Sequence, residues 1–172
     1  MLDFYFDQRY YAEMMYDSGV FSVQLLVITL SITPLMVIFR KYDRIMSVLR
    51  WFKSRRRYLG VSCFAYALIH LLVYLRRNPE LSDILWHMQD LKIAAGWIGF
   101  TLLLALALTS NDKSARQLGP KWKSLHRWIY IGAALIFLHW ALFGFFINQL
   151  LLWLIPIALL QTIRLHLHFK NA

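Results

Sequence analysis

Four uncharged, strongly apolar stretches punctuate the chain, at residues 18–39, 58–75, 93–111 and 128–163. A helix needs about 20 mostly apolar residues to cross a bilayer, so each of the first three supplies one span. The fourth holds 36 residues, too many for one helix. Asn148 and Gln149 sit near its middle, directly after FGFFI, and read as the polar tip of a tight turn between two antiparallel helices. The pattern predicts an all-α, polytopic bundle of about five transmembrane helices. One membrane domain covers 18–168, with a polar N-terminal segment at 1–17 and a short tail at 169–172. Between the spans, Asn78-Pro79-Glu80 is a turn signal, followed by a short interfacial helix through LSDILWHMQ. Gly119-Pro120 is another turn, and WKSLHRWIY then reads as a helix entering the membrane.

Composition agrees with the pattern. Of 172 residues, 59% are hydrophobic and only 16% charged, against roughly 25% charged in an average soluble domain. The single cysteine, Cys63, excludes an intramolecular disulfide framework and any multi-cysteine metal site. The first span has no Lys/Arg-rich lead, which argues against a cleaved signal peptide.

The net charge of +10 raises nucleic acid as a partner, and its distribution removes it. Residues 1–17 hold one basic residue and four acids, while 40–57 hold eight basic residues and one acid. Residues 76–92 hold three of each, and 110–127 hold five basic residues and one acid. This alternation is what five spans with the N-terminus outside and the C-terminus inside require. Attraction to anionic membrane lipid is a secondary role for the same charges.

Ionisable groups inside a membrane are costly and tend to be functional. His70, His126 and His139 lie in or at the ends of apolar spans, whereas His87, His166 and His168 sit in a loop or near a helix end. His70 is 12 residues beyond Tyr58, about 18 Å along a helix. His139 is 13 residues beyond His126, about 20 Å. His70 and His139 are therefore expected at similar depth on two parallel helices, the arrangement that axial ligation of a b-type heme needs. The bland alternative for any one of them is an interhelical hydrogen bond or a polar cavity lining. His126 lies near the inner face, where it suits either a second heme or an interfacial role. Thirteen residues turn a helix by about 140° from the starting face, so His126 and His139 share a face only if the helix is distorted, with Gly132 as the place for it. Glycines 60, 96, 99 and 132 offer room for a macrocycle or ordinary close helix packing.

Two stretches carry a family resemblance: RRRYLGVSCFAYALIHLLVYL, and TSNDKSARQLGPKWKSLHRWIYIGAALIFLHW with its LG, W and LHR…Y…LHW elements. The Thr-Pro ending LSITPLMVIFR also fits. Together they resemble the ferric-reductase-like transmembrane group, within it most of all the heme-binding membrane subunit of the bacterial periplasmic methionine sulfoxide reductase system. The resemblance covers roughly residues 18–168. It implies one or two b-type hemes in the bacterial inner membrane. His70 and His139 would ligate an outer heme. His126 would ligate an inner one, with Arg56 at the position where that branch replaces an oxidase histidine. Electrons would enter from quinol or a cytoplasmic flavin reductase and leave to a periplasmic molybdenum-cofactor sulfoxide reductase. FMN or quinone are further candidate cofactors. Six spans are usual in that branch, and the expectation is that the first has no counterpart here and that reductant comes from another protein, a quinol or bound flavin. The expectation is an electron-transfer subunit with no catalytic residue of its own. The competing readings are a stand-alone ferric, quinone or oxygen reductase component and a heme-free scaffold. A transporter is disfavoured by the near absence of charge within the spans and of paired broken helices.

Overall fold

The computed structural model describes residues 2–144 and 146–170, with 2–8 as backbone only. Among these the regular structure is entirely helical: α1 (Leu2–Ile38), α2 (Asp43–Ser54), α3 (Arg56–Arg77), α4 (Leu81–His87), α5 (Leu91–Leu108), α6 (Asp112–Leu118), α7 (Pro120–Arg127), α8 (Ile129–Phe143) and α9 (Ile147–Lys170). Five segments are long and apolar enough to cross a membrane: Arg9–Ile38, Arg56–Arg77, Leu91–Leu108, Pro120–Phe143 and Ile147–Lys170. The chain is a multi-pass membrane protein. The polar N-terminal segment does not form a separate element but continues α1 outward by several turns. At the other end, Phe169 and Lys170 of the expected tail belong to α9, and its last two residues lie outside the described residues.

The bundle is built from two helix pairs. α1 packs along α3 and α5 packs along α8, and these are the two most extensive pairings. α3 and α5 join the pairs, while α9 closes against α1 and α8. The core runs through Val23, Leu26 and Leu30 of α1, Cys63 of α3, Leu103 of α5 and Phe137 of α8. α1 is the most buried of the five spans. The others turn large apolar side chains outward, among them Leu72, Ile98 and Leu152, as contact with lipid tails allows. α5 and α8 approach closely at two glycines. A Cβ on Gly99 would lie 3.1 Å from Ile136 Cγ1, and one on Gly132 would lie 3.6 Å from Leu102 Cβ. Small residues at such crossings let backbones come together where lipid supplies no hydrophobic drive.

Several expectations shift in detail. The break in the long apolar stretch falls at Gly144 (φ 68°) and Phe146 (φ 55°), not at Asn148 and Gln149. Glycine takes the left-handed helix cap without a Cβ penalty, so α8 ends there. Asn148 and Gln149 enter the first turn of α9, where Gln149 Oε1 accepts from the Tyr16 hydroxyl. The distortion expected at Gly132 falls at Trp128, between α7 and α8. The basic stretch 40–57 is not an open loop: it holds α2, whose Leu49 is buried. The short helix expected after Pro79 is α4, and Gly119 (φ 51°) with Pro120 at the start of α7 forms the expected turn.

Inside a bilayer a freed backbone carbonyl must find a partner within the protein. Pro34 lies within α1 and has no N–H to give the carbonyl four residues earlier, that of Leu30. Gln161 Nε2 of α9 donates to that carbonyl at 3.1 Å. The proline thus opens an acceptor, and the glutamine from another helix fills it. Replacing Gln161→Leu should cost about 1 kcal/mol of stability. In a Pro34→Ala background, where position 34 regains its N–H, the same change should cost much less. Reversible unfolding in mixed detergent micelles checks this cycle, and additive costs would refute the link.

Candidate heme site

His70 projects from the middle of α3 and His139 from the second half of α8. Both line one cavity of about 450 Å³, within the range of roughly 300–1,000 Å³ typical of cofactor sites. Its walls are mostly apolar and aromatic, with Trp97, Phe100, Trp140 and Phe143 among them. Tyr16, Tyr74 and Arg77 bring polar atoms to its lining. The cavity lies between the α1–α3 pair and the α5–α8 pair, each of which contributes one histidine.

The imidazole centres stand 6.2 Å apart with their planes at 84°. A metal–nitrogen bond of about 2 Å on each side, plus about 1 Å from ring centre to nitrogen, separates two axially opposed imidazoles by about 6 Å. The hydrogen bonds fix which nitrogen is free. His70 Nδ1–H donates to the Met15 carbonyl at 2.7 Å, and His139 Nδ1–H donates to the Lys92 carbonyl at 2.6 Å. A carbonyl only accepts, so both rings carry their proton on Nδ1 and leave the Nε2 lone pair for a ligand. This is the second-sphere arrangement that orients metal-bound histidines and strengthens their basicity. Among the described residues no group of three or more His, Cys, Asp or Glu could hold a bare ion. Two histidines are too few for an ion alone but suffice for an iron whose other ligands belong to a porphyrin. The residues present therefore fit a heme.

The start of α5, where Lys92 presents its carbonyl, is tied down by Asp90. The Asp90 side chain caps the helix by accepting from Lys92 N–H at 3.1 Å and pairs with Lys92 Nζ at 2.8 Å. The Lys92 ammonium and N–H hold the Asp90 carboxyl below the usual carboxylate range.

His126 and Arg56 are not brought to this cavity. His126 stacks on Trp122, ring centres 3.9 Å apart and 25° from parallel. Its Nδ1–H donates to the Trp122 carbonyl at 3.1 Å, and Nε2 meets the Ser110 hydroxyl at 3.4 Å. Arg56 donates to Thr33 Oγ1 at 3.1 Å. It lies within electrostatic reach of His126 and of Arg164, which donates to the Tyr130 hydroxyl at 2.7 Å. No carboxylate pairs with Arg56 or Arg164 among the described residues. Of the glycines expected to make room for a macrocycle, Gly60 faces open space, and Gly99 and Gly132 serve helix packing. Gly96 does border the cavity, and so does Gly19, which sequence reasoning missed. A glycine one turn after a carbonyl that meets a histidine leaves no recognisable mark in a single sequence.

A helical bundle with two opposed histidines in an apolar cavity belongs to the class of membrane-embedded cofactor carriers. Residues 18–138 match the family described as ferric reductase like transmembrane component, and the chain belongs to that family. It is 33% identical over 162 residues to the protein-methionine-sulfoxide reductase heme-binding subunit MsrQ of Yersinia pseudotuberculosis serotype O:1b, spanning 92% of this chain and 74% of that one. The MsrQ of Yersinia pestis strain Pestoides F is likewise 33% identical, over 92% of this chain and 73% of its own. No solved structure matches the chain.

The hydrogen bonds make a prediction that needs no cofactor. In heme-free protein labelled with ¹⁵N-histidine, His70 and His139 should both report the Nδ1–H tautomer at neutral pH. A protonated Nε2 on either ring would contradict the carbonyl pairing.

Proposed function

We propose that this chain is a b-type heme electron-transfer subunit of the bacterial inner membrane. It passes electrons from quinol or a cytoplasmic flavin reductase to a periplasmic methionine sulfoxide reductase that carries a molybdenum cofactor. The observation that carries the reading is the pair His70 and His139, 6.2 Å apart with both Nδ1 atoms engaged by carbonyls. The heme-binding relatives point the same way, and their name supplies the partner system.

When bound, a heme supplies a one-electron couple whose potential the protein tunes through axial ligands and burial. The residues of this chain do the rest. His70 and His139 would hold the iron through Nε2. Met15 and Lys92 carbonyls fix the tautomer and raise the basicity of both rings, which favours the ferric state. The aromatic walls exclude water. Arg77, exposed and lining the cavity, offers a positive charge to carboxylates at the cofactor edge. With the N-terminus outside, this site lies in the outer half of the membrane, on the side of the sulfoxide reductase. The cluster of His126, Arg56, Arg164 and Tyr130 then lies on the donor side, where it suits a second heme ligated by His126 or the headgroup of a quinone.

Absorption spectra of the detergent-purified protein, oxidised and dithionite-reduced, with pyridine hemochromogen quantitation, test the assignment. A b-type spectrum is expected, lost in His70→Ala and in His139→Ala. A stoichiometry near one that persists in His126→Ala leaves His126 as an interfacial residue. A stoichiometry near two that falls to one in His126→Ala brings in the inner site. A folded protein that takes up no hemin would refute the reading.

A further inference from the structure

The two histidines meet their carbonyls in the same way. His70 of α3 reaches the Met15 carbonyl of α1, and His139 of α8 reaches the Lys92 carbonyl of α5. In each case the residue four positions after the carbonyl is a glycine, Gly19 or Gly96. A helical carbonyl points along the axis toward that residue, whose N–H it already accepts. Its second lone pair is open to a donor from a neighbouring helix only where no side chain stands in the way. The space at both glycines is taken by the imidazole itself. A Cβ on Gly96 would lie 2.6 Å from His139 Nδ1 and 2.8 Å from its Cε1. A Cβ on Gly19 would lie 3.0 Å from His70 Nδ1 and 3.2 Å from its Cε1.

We propose that Gly19 and Gly96 are positioning residues, each admitting one histidine to the helix carbonyl four residues before it, so that the site consists of two equivalent half-sites. Each half-site is one antiparallel helix pair: a glycine-bearing helix that offers the carbonyl, and a histidine-bearing helix that offers the ligand. The two differ in how tightly they are built. The Met15 carbonyl also accepts from Ser18 Oγ at 3.1 Å, so it is shared, whereas the Lys92 carbonyl meets His139 at 2.6 Å. The α5–α8 half is the tighter one by both its hydrogen bond and its glycine clearance.

As a statement about ligand orientation this stands on the geometry alone; as a statement about heme it rests on the function proposed above. The test reads both. In heme-free, ¹⁵N-histidine-labelled protein, Gly96→Ala should remove the Nδ1–H signature of His139 and leave that of His70, and Gly19→Ala should do the reverse. Gly60→Ala, with nothing within 4 Å of the added Cβ, should change neither. Gly99→Ala should lower thermal stability through the α5–α8 contact without moving either signature. In heme-loaded protein the wild type should be low-spin and inert to carbon monoxide when reduced. Gly96→Ala should bind carbon monoxide in a large fraction of its ferrous heme, Gly19→Ala in a smaller fraction, and the midpoint potential should move positive in both. Because the Gly19 clearance is the milder one, Gly19→Ala decides the matter if Gly96→Ala does not fold. Unchanged histidine signatures in these variants would overturn the inference whatever the heme content. Changed signatures in a protein that takes up no heme would uphold the positioning and refute the heme reading.

Discussion

An imidazole N–H bonded to a peptide carbonyl on a neighbouring helix is the contact around which this bundle is organised. The bilayer interior offers no water to a polar group, so each one must be answered by another within the protein. A histidine in a span is affordable here because one nitrogen is answered by the backbone and the other faces a cavity. The same constraint explains contacts far from the site. Ser22 Oγ donates to the Cys63 carbonyl at 3.0 Å between α1 and α3, and Thr29 and Ser31 turn back on their own helix. Gln161 answers the carbonyl that Pro34 leaves open. The bonds of Ser22 and Gln161 fall between the same helices that the apolar core joins, so polar satisfaction and packing select one arrangement.

Much of this arrangement is legible in the order of the residues. Span number follows from the lengths of the uncharged stretches, and the equal depth of His70 and His139 follows from counting along two parallel helices. What escapes is whatever depends on the backbone of a distant helix. The carbonyls of Met15 and Lys92 have no side-chain identity to read, and a glycine near a span end resembles any other small residue. The position of the last interhelical turn also escapes, because Asn148 and Gln149 look like a polar tip while Gly144 supplies the conformation that ends a helix. Gln149 is polar for a different reason, its contact with Tyr16 across the bundle. For His126 the sequence leaves two roles open. Its stacking on Trp122 shows a ring settled against an aromatic face, with Nε2 only loosely engaged.

The family match, the relatives and the geometry address different questions. The match over residues 18–138 establishes the architecture. The relatives, 33% identical, are named as heme-binding subunits of a protein-methionine-sulfoxide reductase. The histidine pair gives the proposed cofactor two imidazoles lining one apolar cavity. The functional reading draws on all three.

Each histidine is anchored inside its own helix pair, so the orientation of a ring and the gap between the rings are governed by separate parts of the molecule. Orientation belongs to α1 with α3 and to α5 with α8. The gap belongs to the shallower seam where α3 meets α5. A sideways squeeze or release on the bundle, as from a change in lipid packing, would alter the gap while leaving every ring bond in place. The distance between the two imidazoles is thereby tied to how the helix pairs press together, while the tilt of each ring is insulated from it.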